Sequence, residues 1–346
     1  MEPEVVRFAI VGCGRISQYH IEALASLPNA RVTAVCDLIE ERAVEASRRA
    51  GGVPWFTDYR KMLETGGFDA VSVCTPSGLH PEHGILAAEA GYHVVSEKPM
   101  AVTLDAADRL IETCDRERRR LFVVKQNRLN PTVRLLKQAV DKGRFGRICF
   151  VEVNVFWTRP QEYYDQAPWR GTRAMDGGAI MNQASHYVDL MHWLAGDVQE
   201  VEAFTATLER RIETEDTGAA ILRFRSGAIG TLNVTMLVYP RNLEGSITVL
   251  GTRGTARLGG IALNRVQHWE FDRYEDEDRR VLEAGYTPPT VYGHGHRGYY
   301  ENVIAVLQGR AEPETDGRSG RHSLEMILAI YRAAEERRRV QLPLRE

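Results

Sequence analysis

A short charged run, Glu97-Lys98-Pro99, follows an apolar segment over 93–96 that is typical of a buried strand. A lysine amine can stabilise negative charge on a reacting oxygen, or act as a base where its surroundings depress its pKa. The alternative interpretation is a solvated ion pair at the end of a strand. Because ligands of doubly wound sheets bind at the carboxyl ends of the strands, and Pro99 restricts the backbone there, we predict that Lys98 is a catalytic residue.

A second group of polar residues, Asn182, His186 and Asp189, follows a glycine pair at 177–178. Their i, i+4, i+7 spacing predicts that they share one face of a helix. A single histidine there is more often a satisfied core residue, but three polar groups on one stripe indicate a site. His186 is the first candidate for a general base, because an imidazole with an ordinary pKa of about 6.5 exchanges protons near neutral pH. Asn182 can orient a ligand by hydrogen bonds but cannot act as a base.

A glycine-rich turn, Gly12-Cys-Gly14-Arg15-Ile16-Ser17, lies between an apolar strand-like run and a helical pattern. It matches the G-x-G-x-x-[G/A] pattern of dinucleotide-binding sites, with serine in the last position. Gly12 would allow the tight turn, and Gly14 would let the backbone approach a pyrophosphate at the start of the helix. Taken alone, the pattern is equally compatible with an ordinary turn.

Asp37 strengthens the dinucleotide interpretation, because it ends the next predicted strand, 23 residues after Gly14. A carboxylate at this place can accept hydrogen bonds from both hydroxyls of the adenosine ribose. It would also repel the 2′-phosphate of NADP. The sequence therefore predicts NAD as the cofactor.

The residues around these motifs follow two different patterns. Up to about residue 125, short β-branched runs alternate with helical patterns, which predicts βαβ units and a doubly wound parallel sheet, a Rossmann domain. After about residue 145, consecutive segments alternate apolar and polar residues, which predicts an α+β domain on a large, mostly antiparallel open sheet. We expect a Rossmann domain over 1–125 and a second domain over 126–346. Strands are predicted at 6–11, 31–36, 70–74, 93–96, 121–124, 148–157, 201–208, 219–225, 228–236, 244–250 and 255–258.

The composition argues against several other classes of protein. The 346 residues carry 44 basic and 47 acidic side chains, a formal net charge of −3, so no overall field attracts nucleic acid or an anionic membrane. No apolar stretch approaches the ~20 residues that span a bilayer, and the start shows no signal-peptide pattern. Five cysteines without a C-x-x-C pair indicate neither a disulfide framework nor a zinc site. We expect a cytoplasmic protein without a metal.

Four motifs together resemble the glucose–fructose oxidoreductase / inositol dehydrogenase (Gfo/Idh/MocA) family. They are the glycine turn with His20, Cys74-Thr75-Pro76 with His80, Glu97-Lys98-Pro99, and the glycine pair before His186 and Asp189. The resemblance covers essentially the whole chain and implies oxidation of a secondary hydroxyl of a sugar or cyclitol by a nicotinamide dinucleotide. The family often has aspartate where this chain has Asn182, so an aspartate-assisted proton relay is not expected here. The predicted cofactor-binding residues are Gly12, Gly14, Arg15, Ile16, Asp37, Thr75, Pro76, His80, Glu97, Lys98 and Gln126.

Further segments resemble one branch of that family, the UDP-N-acetyl-2-amino-2-deoxy-D-glucuronate dehydrogenases of surface-polysaccharide (lipopolysaccharide O-antigen) assembly. These segments are 124–128, 156–161, 163–164, 181–183, 239–245 and 292–296. The resemblance implies oxidation of the sugar C3 hydroxyl to a ketone, and some relatives need a 2-oxo acid such as 2-oxoglutarate to reoxidise NADH. A UDP-sugar acid needs cationic and amide donors and aromatic faces, although any one such residue is equally compatible with core or surface. The predicted substrate-orienting residues are Asn182, Gln183, Asp189, Arg159, Tyr163, Tyr164, Arg170, His294 and His296.

In this scheme His186 removes the hydroxyl proton and Lys98 stabilises the alkoxide, or the two roles are exchanged. The sequence leaves both assignments open. It also leaves open a family dehydrogenase of another sugar or inositol, and a sensor that binds NAD without catalysis. Retention of both Lys98 and His186 argues against the sensor.

The second sheet also predicts a homo-oligomer. Local helices can cover only one of its faces, so the other face, with residues such as Val234 and Met236, would be exposed unless a second copy covers it. The family resemblance implies homodimers packed sheet to sheet, often paired into homotetramers.

Overall fold

The short apolar runs of the first 125 residues form a parallel sheet in a computed structural model, which describes residues 5–287 and 295–344. Its strands are β1 (Val6–Val11), β2 (Ala30–Cys36), β3 (Trp55–Phe56), β4 (Ala70–Val73), β5 (His93–Ser96) and β6 (Leu121–Val123). The order is β3-β2-β1-β4-β5-β6, and every neighbouring pair is parallel. The chain changes direction across the sheet between β1 and β4, and ligands of doubly wound folds bind at such a switch point.

Helices connect these strands. Their bounds are α1 (Ser17–Ala25), α2 (Glu40–Arg49), α3 (Tyr59–Thr65), α4 (His80–Glu89) and α5 (Leu104–Arg116). Helix α5 shows why these segments are helical, because the spacing of Ala107, Leu110 and Ile111 places buried side chains on one face. The side chain of Thr103 caps its start by accepting a hydrogen bond from the backbone nitrogen of Ala106 at 3.3 Å.

The alternating segments after residue 145 form a second sheet. Its strands are β7 (Ile148–Phe156), β8 (Val198–Ala206), β9 (Thr217–Phe224), β10 (Ile229–Thr235), β11 (Glu244–Gly251), β12 (Gly254–Gly259), β13 (Arg265–Phe271) and β14 (Val340–Gln341). The order is β13-β12-β11-β7-β10-β9-β8-β14, with antiparallel neighbours except for the parallel pair of β7 and β10. The predicted fold class, a Rossmann domain followed by an α+β domain on a mostly antiparallel open sheet, is confirmed.

The remaining helices follow the first sheet or lie between and after the strands of the second. They are α6 (Pro131–Asp141), α7 (Gln161–Asp165), α8 (Ser185–Ala195), α9 (Gly295–Leu307) and α10 (Gly317–Glu336). Across the two described ranges, no helix combines the length and the apolar character needed to cross a membrane.

One face of the second sheet is covered and the other is open. Helix α8 packs against β7, and Met191 of α8 lies 3.0 Å from the position of a Cβ on Gly230. Val234 and Met236 lie on the covered face and are 2% and 0% exposed, so the prediction that they are exposed was wrong. Successive residues of a strand point to opposite faces, and a misassignment by one residue reverses the whole set. The open face carries other apolar side chains, including Phe204, Ile221 and Ile229.

The described residues fall into two compact units. The first combines the residues up to Lys125 with His296–Arg321, and the second contains the remainder. The later segment joins the first unit through β6, because Thr315 Oγ1 donates to the backbone oxygen of Val123 at 2.8 Å. The division therefore differs from the expected continuous second domain over 126–346.

Candidate active site

The glycine turn after β1 has the geometry that a dinucleotide phosphate requires. Gly12 has a backbone φ of +87°, and a Cβ there would lie 2.6 Å from the carbonyl carbon of Cys74 and 2.7 Å from the nitrogen of Thr75. Glycine is therefore required at this position by both conformation and space. A Cβ on Gly14, in contrast, would meet no atom of the described residues within 4 Å. The space beside Gly14 is open to a ligand.

Helix α1 begins directly after this turn. Ile16 occupies the N-cap position, and its apolar side chain cannot accept hydrogen bonds, so the first backbone N–H groups of α1 are left to a ligand or to solvent. Ser17 Oγ donates to the backbone oxygen of Gly14 at 2.7 Å and ties the turn to the helix. The side chain of Arg15 is exposed beside them. The predicted phosphate-binding residues thus lie together in one turn.

Asp37 lies directly after β2 and braces the glycine turn. Its Oδ2 accepts a hydrogen bond from the backbone nitrogen of Cys13 at 2.7 Å, and its Oδ1 accepts one from the backbone nitrogen of Ile39 at 2.8 Å. Each carboxylate oxygen has a further lone pair, so the half-buried side chain retains the capacity to accept from ribose hydroxyls. The geometry is compatible with the predicted ribose contact and adds a structural role.

We expect the unmodified protein to bind NAD at least about a hundredfold more tightly than NADP, a difference of roughly 3 kcal/mol. Asp37→Ala is expected to reduce this preference mainly by weakening NAD, because it removes the acceptor for the ribose hydroxyls of NAD and supplies no cation for a 2′-phosphate. Fluorescence titration with NADH and NADPH measures both affinities, with the exposed carboxylate variant Asp105→Ala as the control. Equal affinities of the unmodified protein for the two cofactors would contradict the ribose contact.

Glu97, directly after β5, is buried and holds the backbone of Lys98. Its Oε1 lies 2.9 Å from His20 Nε2, and its Oε2 accepts from the backbone nitrogen of Lys98 at 3.0 Å. Burial acts to raise the pKa of Glu97, but the hydrogen bond with His20 and the charges of His20 and Lys98 outweigh burial and lower the pKa to about 2. Glu97 is therefore a buried anion that positions Lys98, and its predicted cofactor contact stays a prediction.

His80 is buried and joins two segments of the first unit. Its Nδ1 lies 2.7 Å from the backbone oxygen of Pro99, and its Nε2 lies 2.7 Å from the backbone oxygen of Thr75. Because both ring nitrogens contact the backbone, His80 joins the segments after β4 and β5, and its predicted cofactor contact stays a prediction. Thr75 and Pro76 are half-buried after β4, close to Gly12. The geometry leaves these two residues available to a cofactor.

His296 packs in the first unit against the side chains of α1. Its ring centroid lies 5.5 Å from that of His20 and 5.8 Å from that of Tyr19, and its exposure is only 5%. Burial and the nearby charge of His20 lower the pKa of His296 to about 3. His296 therefore has a packing role in the first unit, and its predicted substrate contact stays a prediction. His294, the other histidine predicted to orient substrate, lies outside the described residues.

Gln126 follows β6 and is 1% exposed. Its Oε1 has no hydrogen-bond partner within the described part of the chain. Most buried acceptors in proteins are satisfied, so an orphaned amide oxygen fits the N–H group of a ligand. This observation is compatible with the predicted cofactor contact.

Asn182 lies outside the helix that carries His186 and Asp189. Residues Ala179–Gln183 form a π-helical turn that precedes α8. The i, i+4, i+7 spacing does not place the three on one helix face, because a π turn holds more residues than an α turn. Asn182 Nδ2 instead donates to the carboxylate of Asp176, a buried residue that the sequence did not single out.

Asp189 is one half of a buried ion pair. Its two carboxylate oxygens accept from Nε and Nη2 of Arg128, both at 2.7 Å, and Ser323 Oγ donates to Oδ1 at 2.8 Å. Asp189 is 1% exposed and Arg128 6%. We correct the predicted substrate contact, because both oxygens are committed inside the protein. The pair anchors the first turns of α8, where His186 lies.

Arg159, Tyr163, Arg170 and Gln183 form a polar–aromatic cluster in the second unit. Gln183 Nε2 donates to the hydroxyl of Tyr163, and Arg159 Nε donates to Gln183 Oε1, both at 3.1 Å. The guanidinium carbons of Arg170 and Arg159 lie 4.3 Å and 5.4 Å from the centroid of the Tyr163 ring. Arg170 Nε is buried with no partner among the residues described. The cluster suits an anionic ligand that carries planar groups.

Tyr164, next to this cluster, belongs to the core. It is 7% exposed, and its ring packs edge to face with that of Tyr163 at 5.1 Å. Burial raises the pKa of its hydroxyl. Tyr164 therefore packs in the core beside the more accessible ring of Tyr163, and its predicted substrate contact stays a prediction.

The fold and these sites define an oxidoreductase with a Rossmann unit, and the chain belongs to the Gfo/Idh/MocA oxidoreductase family. Residues 6–125 match its NAD-binding Rossmann fold, and residues 137–342 match its C-terminal alpha/beta domain. The protein is an NAD-dependent dehydrogenase, and the predicted cofactor, NAD, is confirmed.

Within the family, the chain is similar over its whole length to a WlbA dehydrogenase from Bordetella pertussis, whose structure was solved in complex with NADH and UDP-GlcNAcA. The two are 54% identical, the match covers 100% of both chains, and the TM-score is 0.96. Among curated relatives, the myo-inositol 2-dehydrogenase of Thermotoga maritima is 27% identical, over 97% of this chain and 98% of its own. The D-apiose dehydrogenase of Paraburkholderia graminis is 26% identical, over 96% of this chain and 89% of its own.

Proposed function

We propose that the protein oxidises the C3 hydroxyl of UDP-N-acetyl-2-amino-2-deoxy-D-glucuronate (UDP-GlcNAcA) to a ketone. The supply of a 3-keto sugar for lipopolysaccharide O-antigen assembly is part of the proposal. The observation that carries it is the cluster of Arg159, Tyr163, Arg170 and Gln183, in a chain 54% identical to a WlbA dehydrogenase bound to UDP-GlcNAcA.

The cluster supplies the groups that recognition of this substrate needs. A UDP-sugar acid carries a diphosphate and a carboxylate, which arginine binds through pairs of hydrogen bonds. The buried, unpartnered Nε of Arg170 is a donor that a bound anion would satisfy. Tyr163 and the half-buried Trp169 offer aromatic faces for the uracil or the sugar. Asn182 and Gln183 contribute amides from the π-helical turn.

The residues of the first unit fit the cofactor. The open space beside Gly14 and the N-terminus of α1 would receive the pyrophosphate. Asp37 would accept the ribose hydroxyls, and Thr75 and Pro76 would line the cofactor. The nicotinamide of bound NAD would accept the hydride from C3.

The protein's own chemistry is the removal of the hydroxyl proton. We propose that His186 accepts this proton, because an imidazole can do so near neutral pH. Lys98, whose backbone is held by the buried anion Glu97, would stabilise the alkoxide. The reverse assignment, with Lys98 as the base, stays a second version of the same proposal.

Incubation with NAD and a panel of UDP-sugars, free sugars and inositols tests this function. We expect UDP-GlcNAcA to give NADH absorbance, or, where NADH stays bound, a product two mass units lighter by mass spectrometry once 2-oxoglutarate is added as the reoxidant. Turnover of a free sugar or inositol alone would favour the function suggested by the similarity to myo-inositol 2-dehydrogenase. Binding of NAD without turnover of any compound would favour the sensor.

We also propose that the protein forms a homodimer or homotetramer through the open face of the second sheet. Phe204 and Ile221 on that face are 84% and 61% exposed. Exposed apolar residues grouped on one sheet face are typical of an interface. A mass of 39.0 kDa in solution, that of one chain, would contradict this.

A further inference from the structure

Glu215 is a buried carboxyl group that the proposed chemistry does not use. It lies just before β9, is 8% exposed, and fills the place where a side chain on Gly178 would be. A Cβ built on Gly178 would overlap the carboxylate, and the φ of Gly178 is +102°. Glycine at 178 and the acid at 215 are therefore fitted to each other.

Glu215 and the hydroxyl of Tyr331 form one hydrogen-bond network with the segment 177–181. Glu215 Oε1 accepts from the backbone nitrogen of Ile180 at 2.8 Å, and it lies 2.8 Å from Tyr331 Oη. The same Oη lies 2.7 Å from the backbone oxygen of Gly177 and accepts from the backbone nitrogen of Met181 at 3.0 Å. One acid and one hydroxyl thus hold both ends of the turn that leads to Asn182.

A count of protons favours the neutral form of the acid. Tyr331 has a single hydroxyl proton, and the Gly177 oxygen can only accept, so the 2.7 Å contact takes that proton. The 2.8 Å contact between Tyr331 Oη and Glu215 Oε1 then needs a second proton, which only the carboxyl group can supply. An ionised Glu215 would leave two acceptors sharing one proton.

We propose that Glu215 is a neutral carboxylic acid that, through Tyr331, fixes the segment 177–183 and so positions Asn182 and Gln183 for the substrate. Glu215 is a positioning residue in this account. The part that concerns the substrate rests on the proposed function, whereas the part that concerns the proton does not.

The groups around Glu215 favour its neutral form. Burial raises its pKa, and the negative charge of Asp176 adds to this effect. The hydrogen bond from the Ile180 nitrogen and the contact with Tyr331 act in the opposite direction, and the resulting pKa is about 7. The charged groups nearest in sequence are Glu213, which is exposed, and Asp216, whose oxygens accept backbone hydrogen bonds from residues 208–210.

Ionisation therefore has a consequence for the substrate segment. Above about pH 7, Glu215 becomes a second negative charge beside Asp176. It then no longer donates a hydrogen bond to Tyr331. The single proton of Tyr331 Oη is then shared between Glu215 Oε1 and the Gly177 oxygen, so one of these two hydrogen bonds is lost. Asn182, bonded to Asp176, and Gln183, bonded to Tyr163, follow that turn directly. Substrate binding should weaken while the reacting groups stay in place.

Two variants test this inference. Glu215→Gln keeps the volume but cannot ionise, and Glu213→Gln makes the same change at an exposed residue of the same loop as the control. We expect the KM for UDP-GlcNAcA to rise about tenfold between about pH 6 and about pH 8.5 in the unmodified protein and in Glu213→Gln, whereas the pH dependence of kcat should be the same in all three proteins. In Glu215→Gln the KM should be nearly constant over this range. Tyr331→Phe should show a raised KM already at the lower pH.

Infrared difference spectra test the proton without any substrate. The unmodified protein should show the carbonyl band of a neutral carboxylic acid at about pH 6 that disappears on raising the pH, and Glu215→Gln should lack that band. Absence of the band from the unmodified protein overturns the neutral acid. A KM that still rises with pH in Glu215→Gln overturns the positioning role. If UDP-GlcNAcA is not turned over, the proposed function fails, while the infrared result still decides the state of Glu215.

Discussion

Replacement of Lys98 by methionine is expected to lower kcat by about a thousandfold. The variant lacks a group that acts on the substrate hydroxyl in either assignment, because Lys98 stabilises the alkoxide in one and is the base in the other. Methionine keeps the unbranched side chain, so the buried bond from the Lys98 backbone nitrogen to Glu97 should survive. Initial rates with UDP-GlcNAcA measure the loss. Lys61→Met, at an exposed position of α3, is the matched control and should keep normal turnover.

His186→Asn completes this test, with His192→Asn on the same helix as its control. We expect a loss of about a hundredfold or more for His186→Asn and normal rates for His192→Asn. The pH profile of kcat/KM separates the two roles, because its acidic limb disappears in the variant that lacks the base and persists in the other. Titration with NADH distinguishes lost chemistry from lost cofactor binding. Near-normal turnover in both Lys98→Met and His186→Asn would refute the catalytic scheme.

Loss of the buried carboxylate of Asp189 should destabilise the protein by about 3–5 kcal/mol. Asp189→Ala leaves the guanidinium of Arg128, only 6% exposed, without its bidentate acceptor. The cost is mainly that of an uncompensated buried charge, so the double variant Arg128→Met, Asp189→Leu should recover much of the loss. Urea unfolding followed by circular dichroism measures these free energies.

An exposed ion pair provides the comparison for Asp189. Arg173 and Glu335 are in contact at 2.9 Å, with side chains 70% and 59% exposed. Glu335→Ala should therefore change stability by less than about 1 kcal/mol. If Asp189→Ala costs no more than Glu335→Ala, the bidentate pair does not anchor α8.

The sequence predicted most of the strands because burial on alternate faces leaves a regular pattern. β1 and β5 agree at both ends, and β7, β10 and β11 agree within one residue at each end. β3 was missed because two residues are too few for a pattern. β13, Arg265–Phe271, lies at the edge of its sheet and has no buried residue, so it shows no alternation of buried and exposed positions.

Local motifs single out part of the candidate site, and the residues that the structure places differently share a cause. Local motifs located the glycine turn, Lys98 and the segment 182–183, since each is encoded by neighbouring residues. Asp189 pairs with Arg128, 61 positions away, and no local pattern encodes that distance. The π-helical turn before α8 gave no signal either, and it changed the face assigned to Asn182. A partner that is distant in sequence is the reason why Asp189, predicted to contact the substrate, instead stabilises the protein internally.

The return of the chain to the first unit at His296–Arg321 has a consequence for biosynthesis. Strand β6 is an edge strand, and its backbone at Val123 is paired by Thr315, with hydrogen bonds of 3.2 Å and 2.8 Å. His20 likewise depends on Tyr300, whose hydroxyl lies 2.6 Å from its Nδ1. A nascent chain therefore exposes an unpaired strand edge until residues far beyond 125 have left the ribosome, and exposed edges invite aggregation. A gene fragment that stops at 125 would encode the glycine turn and Lys98. It would lack Thr315, which pairs with the edge of β6, and the hydroxyl of Tyr300, which contacts His20.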